Sequence, residues 1–119
     1  MEISKGKVDT NFWKGKKVFV TGHTGFKGSW LCLWLQNMGA LVKGYSLNVN
    51  TKPALFIQAN VGDDMQSEIG DIRNLEQLTE SMVGFGPDIL IHMAAQPLVR
   101  LSYQEPVDTY TTNVIGTVN

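Results

Sequence analysis

A single cysteine, Cys32, stands among the 119 residues, and one thiol cannot close an internal disulfide. That excludes a disulfide-stapled secreted scaffold and makes a reducing, cytoplasmic compartment the expected setting. Long apolar runs are lacking too. The longest, Trp30 to Leu35, falls far short of the roughly 20 residues that cross a bilayer. The opening stretch, MEISKGKVDTNFWKGKK, has no apolar core of the kind a signal peptide needs, so neither membrane nor export segment is expected. Charge of one sign is scarce: the formal net charge is −1, and the basic cluster Lys14–Lys17 is short. Such a cluster solvates the approach to a strand, and no nucleic-acid partner is expected. The two histidines have no cysteine or carboxylate cluster beside them, so no metal site is expected either.

What remains is a composition of 43% hydrophobic and 18% charged residues, that of one globular domain able to bury about two thirds of its unfolded surface. Repeats, low-complexity tracts and linkers are missing. Residues 1–15 read as an N-terminal arm, with Phe12 and Trp13 docking on the body, and residues 16–119 as the domain. KKVFVT, ending at Thr21, reads as a buried strand halted by Gly22. SWLCLWLQNMG then reads as a helix closed by Gly39. Being apolar around its circumference, it is expected to be covered on most sides.

ALVKGYSL gives a second strand, followed by a polar turn from Asn48 to Lys52 and a helical turn between Pro53 and Ala59. MQSEIGDI is a weaker third strand. Behind Asn74, an N-cap residue, Leu75, Leu78 and Met82 recur at helical spacing. PDILIHMAA is a near-continuous apolar strand opened by a proline. PLVRLSYQEP holds a short helix, and VDTYTTNVIGTVN begins another. Strand and helix alternate, and the strands are apolar throughout. This predicts an incomplete doubly wound α/β domain of Rossmann type, a parallel sheet in the order 3-2-1-4 with helices on both faces.

The chemistry concentrates in VTGHTGFKGSW. Gly22, Gly25 and Gly28 fall between a strand and a helix, the context a dinucleotide fingerprint demands. Gly22 allows the turn off the strand, Gly25 the approach of backbone to a pyrophosphate, and Gly28 close helix–strand packing. The helix N-terminus aims free N–H groups at the phosphates. Between the glycines, His23, Thr24, Phe26 and Lys27 border the same site. His23 and Lys27 read either as ligand contacts or as plain loop side chains. At the end of the second strand, where a carboxylate usually holds the ribose, the sequence is GYSLNVN. Ser46 or Asn48 is left for that task, and the residues leave NAD against NADP open. Asp71 and Ile72 read either as an adenine site or as a capping turn. Ala94, Ala95 and Gln96 leave room for a ligand at the switch point between strands one and four. His92 and Cys32 read as core or supporting residues.

Together VTGHTGFKGSWL, GDIRN, PDILIHMAAQPLVRLSY and TNVIGT resemble the extended short-chain dehydrogenase/reductase family, and within it the sugar-nucleotide 4,6-dehydratases. The resemblance implies NAD as cofactor and a nucleotide sugar, CDP-glucose, as substrate partner. It implies oxidation at C4, loss of water across C5–C6 and return of hydride to C6. It places the pyrophosphate at the glycines, the adenine at Asp71 and Ile72, and the nicotinamide ribose beside Ala94, Ala95 and Gln96. Asn113 falls near the cofactor, and Arg100 and Ser102 where the substrate side begins.

The family's catalytic Tyr-x-x-x-Lys pair has no counterpart, because none of Tyr45, Tyr103 and Tyr110 has lysine four residues on. No catalytic residue is therefore assigned, and the chain alone is expected to be inactive. Its four strands leave DILIHM as an apolar edge that favours self-association, and Val114, Ile115 and Val118 without a surface to cover. A related epimerase or another 4,6-dehydratase, and a non-enzymatic nucleotide-binding remnant, are the alternatives.

Overall fold

The architecture comes from a computed structural model that describes residues 6–49 and 52–119. Residues 1–5 of the expected arm and residues 50–51 of the expected turn lie outside the described residues. A short helix α1, Thr10–Trp13, is capped by Asp9, whose carboxylate accepts the Asn11 amide. Trp13 packs on the core, while Phe12 stands half exposed against its ring edge.

Strands β1 (Lys17–Thr21), β2 (Leu41–Ser46), β3 (Gln66–Ile69) and β4 (Ile89–His92) form one parallel sheet in the order β3-β2-β1-β4. The order expected from the strand–helix alternation is the one observed. Register puts Val20, Gly44 and Ser67 in one row across β1, β2 and β3, and Thr21 beside both Tyr45 and His92. Side chains alternate between the faces. Val18, Val20 and Val42 meet Cys32, Leu35 and Met38 on one side, and Phe19 and Tyr45 meet Ile72, Leu78 and Phe85 on the other. Each such fully buried side chain contributes about 1.5–3 kcal/mol. Burial pushes the Cys32 thiol up to about 12, so it behaves as a small core hydrophobe.

Helix α2, Phe26–Asn37, crosses from β1 to β2 and buries Gly28, Ser29, Cys32 and Leu35. The expectation that it is covered on most sides is corrected. Phe26, Trp30 and Trp34, spaced four apart, remain half or more exposed on its outer face. Only one stripe of a 12-residue helix can meet a sheet, and nothing in the described chain lies over the other.

α3 (Leu55–Gln58) and a 3₁₀ turn at Val61–Asp64 precede β3. α4 (Leu75–Phe85) starts where the Asn74 side chain accepts the Gln77 amide, as its cap position predicts. After β4 come α5 (Val99–Gln104) and α6 (Pro106–Tyr110). A π-helical stretch, Thr111–Ile115, then leads into α7 (Gly116–Val118). Leu90 on the edge strand is half exposed, and Val114, Ile115 and Val118 are exposed. Among the described residues, no helix is long and apolar enough to cross a membrane.

Candidate functional site

Each glycine of the β1–α2 loop answers a different demand. Gly22 has φ +79°, a left-handed conformation, and a Cβ there would lie 2.8 Å from the Ala94 nitrogen. A Cβ on Gly28 would overlap the Gly22 carbonyl oxygen. Both glycines are required by the protein's own packing. Gly25 is not. Its φ of −75° suits any residue, and a Cβ would meet nothing closer than Gly22 O at 3.4 Å. Gly25 is also the N-cap of α2, without a side chain to close the first turn, so the amides of 26–28 are left for solvent or a ligand.

The side chains between the glycines part company. Thr24 Oγ1 donates to Leu47 O at 2.8 Å and lies 3.0 Å from Ser46 Oγ, tying the loop to the end of β2. Phe26 and Lys27 are exposed at the rim. His23, expected to border the ligand site or stand free on the loop, does neither with its ring. It is fully buried under Phe56, with Nε2 2.6 Å from Ser67 Oγ on β3. Its place is set by a slot in the sheet, which a loop motif cannot reveal.

Next to the loop, beyond the Ser46 and Leu47 that Thr24 touches, the ends of three strands converge. Ser46, Leu47, Gly70, Asp71, Ile72, Ala94, Ala95 and Thr112 line a narrow cleft of about 70 Å³. Five of the residues expected at a ligand site thus meet: Ser46, Asp71, Ile72, Ala94 and Ala95. Asp71 Oδ1 accepts the Arg73 amide at 2.9 Å, and Arg73 grips both carboxylate oxygens through Nε and its terminal nitrogen. That grip holds the Asp71 carboxyl below the usual carboxylate range. The capping turn at Asp71 is thus formed, and its carboxylate still borders the cleft. Ile72 belongs chiefly to the core, packed with Leu78 and against the backbone of Gly116.

Other expected positions sit apart from that lining. Asn48 is exposed and its side chain accepts the next amide, that of Val49. Asn113 holds the Gln96 peptide from both sides, accepting its N–H at 2.7 Å and donating to its carbonyl at 3.0 Å. It therefore acts through the loop after β4, from within the π-helical stretch. Gln96 reaches Thr109 Oγ1 and Leu98 O. Arg100 is exposed on α5, and the Ser102 hydroxyl donates to Val99 O. His92 lies on the sheet edge, bonded through Nδ1 to Thr21 Oγ1 and through Nε2 to Thr117 Oγ1.

Sequence reasoning missed Thr21, whose hydroxyl accepts the Met93 and Ala94 amides at 3.0 and 3.2 Å and so joins the ends of β1 and β4. A hydroxyl residue closing a strand before the glycine turn was the one local signal. It missed Leu47 and Thr112 on the cleft lining as well. Among the described residues, no group of three or more His, Cys, Asp or Glu could hold a metal ion.

A parallel sheet in this order, with a glycine turn leading into a helix at its first strand, defines a Rossmann-type domain. The chain belongs to the GDP-mannose 4,6 dehydratase family, whose model matches residues 19–119. It is 62% identical over 112 residues to a CDP-glucose 4,6-dehydratase of Salmonella typhimurium, covering 94% of this chain and 31% of that protein. A UDP-glucose 4-epimerase of Rhizobium leguminosarum is 35% identical over 109 residues, covering 87% of this chain and 30% of that protein. Among solved structures, the UDP-glucose 4-epimerase from Brucella ovis in complex with NAD superposes with a TM-score of 0.74 at 28% identity. That superposition covers 87% of this chain and 30% of the epimerase. The chain thus spans about a third of the length of these relatives.

Proposed function

We propose that this chain is the cofactor-binding part of an NAD-dependent sugar-nucleotide 4,6-dehydratase whose substrate is CDP-glucose. The carrying observation is the space at Gly25. Gly22 and Gly28 are explained by packing, whereas the room beside Gly25, at the mouth of an uncapped helix, is what a pyrophosphate needs. The 62% identity to a CDP-glucose 4,6-dehydratase supports the substrate.

In this reading the backbone of Gly22, His23, Thr24, Gly25 and Gly28 and the first turn of α2 cradle the phosphates. Phe26 and Lys27 border them. Ser46 and Asn48 serve a ribose, Asp71 and Ile72 the adenine, and Ala94, Ala95 and Gln96 the nicotinamide ribose, with Asn113 holding Gln96 in place. Arg100 and Ser102 open the substrate side. NAD, when bound, supplies the hydride acceptor and donor for the internal redox cycle. The residues present bind and orient, and with no Tyr-x-x-x-Lys pair the chain alone gives no turnover.

Calorimetric titration with NAD⁺ tests the reading. The natural chain binds, and Gly25→Val weakens binding about 30-fold, since a branched side chain fills the cradle. Its melting temperature falls by no more than about 6 °C, the cost of a poorer N-cap residue, because the space is open to solvent. Equal binding by both proteins overturns the proposal, and dehydration of CDP-glucose by the chain alone overturns its inactivity.

A further inference from the structure

We infer that His23 is a positioning residue for the glycine loop, keyed into a slot over Gly44 and tied there to Ser67. Its bearing on nucleotide affinity rests on the reading of that loop as a phosphate site.

Three observations carry the inference. First, His23 is fully buried although it sits between two turn glycines. Its ring occupies the place above β2 where Gly44 has no side chain, and a Cβ at Gly44 would overlap the imidazole. Second, Ser67 stands beside Gly44 in the register of β2 and β3. The ring therefore spans one whole strand to reach the Ser67 hydroxyl, 2.6 Å from Nε2, while Phe56 closes over it edge-on at 5.3 Å between centroids. Third, the backbone of the same residue is held separately, its carbonyl accepting the Ser29 hydroxyl of α2 at 3.0 Å.

Consecutive loop residues are thus anchored at different places, on β2, on β3 and just past the end of β2. The Gly22 amide bonds to Tyr45 O, the His23 ring to Ser67, and the Thr24 hydroxyl to Leu47 O. A residue serving packing alone would need no polar reach. An aliphatic side chain would fill the slot without leaving Nδ1 buried and unpartnered, as it is here. With Nδ1 bare, the proton belongs on Nε2, which donates to Ser67 Oγ. Burial lowers the imidazole to about 4, so the neutral ring fills the slot at neutral pH. The loop is held in shape before any ligand arrives, and affinity gains what ordering would otherwise cost.

Amide hydrogen exchange on the full chain without ligand tests this. Ser67→Ala removes the hydroxyl at an exposed edge-strand position, His23→Asn withdraws the polar group from reach, and His23→Gln restores a nitrogen near the place of Nε2. The Gly25 amide, which donates to Gly22 O at 3.2 Å, exchanges about fivefold faster in S67A and H23N. In H23Q it stays within about twofold of the natural chain, and the double variant H23N/S67A is no faster than either single one. Amides of α4 are unchanged in all of them. ADP-ribose affinity falls by about the same fivefold in S67A and H23N. Unchanged Gly25 exchange in S67A, or exchange that rises equally in α4, overturns the positioning role. Failure of the natural chain to bind ADP-ribose overturns the phosphate reading instead, and leaves the exchange result to decide on His23.

Discussion

Along the β1–α2 loop, the groups without a partner are backbone amides at the start of α2, whereas on a second wall, formed by Asp71 after β3 and Gln96 after β4, the polar groups are side chains already bonded to others. Gly25 and the first turn of α2 face open space, while the His23 ring is turned into the sheet, the Thr24 hydroxyl is tied to Leu47 O just past β2, and Lys27 stands exposed at the rim. Asp71 is gripped by Arg73, and Gln96 by Asn113 and Thr109. The loop wall is complete as it stands. On the proposed reading, the other exchanges partners on binding. The first is therefore sensitive to added volume, and the second to the loss of a hydrogen-bonding group.

The strongest way to break that contrast is Gly28→Val. Its side chain would overlap Gly22 O and crowd His23 Cα, so α2 must shift off the loop. A stability loss of roughly 3 kcal/mol and a drop of more than about 10 °C in melting temperature follow. A melt unchanged from the natural chain would mean that helix and loop are not in contact.

Acid loosens the same wall. His23 holds its imidazole at about 4, against 6.5 for the free group. Between those values the unfolded chain takes up a proton that the folded chain refuses, so stability falls as pH drops through the window. The loss reaches up to roughly 3 kcal/mol near pH 4. Urea midpoints from pH 7 to 4 measure it, and His23→Gln lacks this contribution. An identical slope in the two proteins would assign the acid sensitivity elsewhere.

The smallest effect belongs to the second wall. Asn113→Ala removes both bonds to the Gln96 peptide and costs about 2 kcal/mol in urea unfolding. Its exchange signature lies at residues 94–98, not at the loop. Faster exchange at Gly25 instead would show that the two walls are not independent.

Local pattern made the first wall legible. The run to Thr21, the three glycines and the apolar helix adjoin in sequence, and the Asn74 cap is likewise spelled out within four residues. The His23 slot was hidden, since Gly44 and Ser67 lie 21 and 44 positions further on, and nothing in the loop announces them. Helix α2 misled because its apolar residues run all the way round, which erases the periodicity that separates an inner from an outer face. On the second wall Asp71, Ala94 and Ala95 were legible from strand ends. The bonds that occupy Asp71 and Gln96 come from Arg73, Thr109 and Asn113, and depend on how the last helices fold back.

The close approach of Gly22 to the backbone at 93 and 94 has a mechanical consequence. With Thr21 also bonded to both of those amides, the two sides of the cleft share a stiff joint at their base, like jaws riveted at the root. The jaws cannot part there. The ends of β1 and β4 are therefore expected to move as one piece, carrying the glycine turn together with Ala94 of the cleft lining.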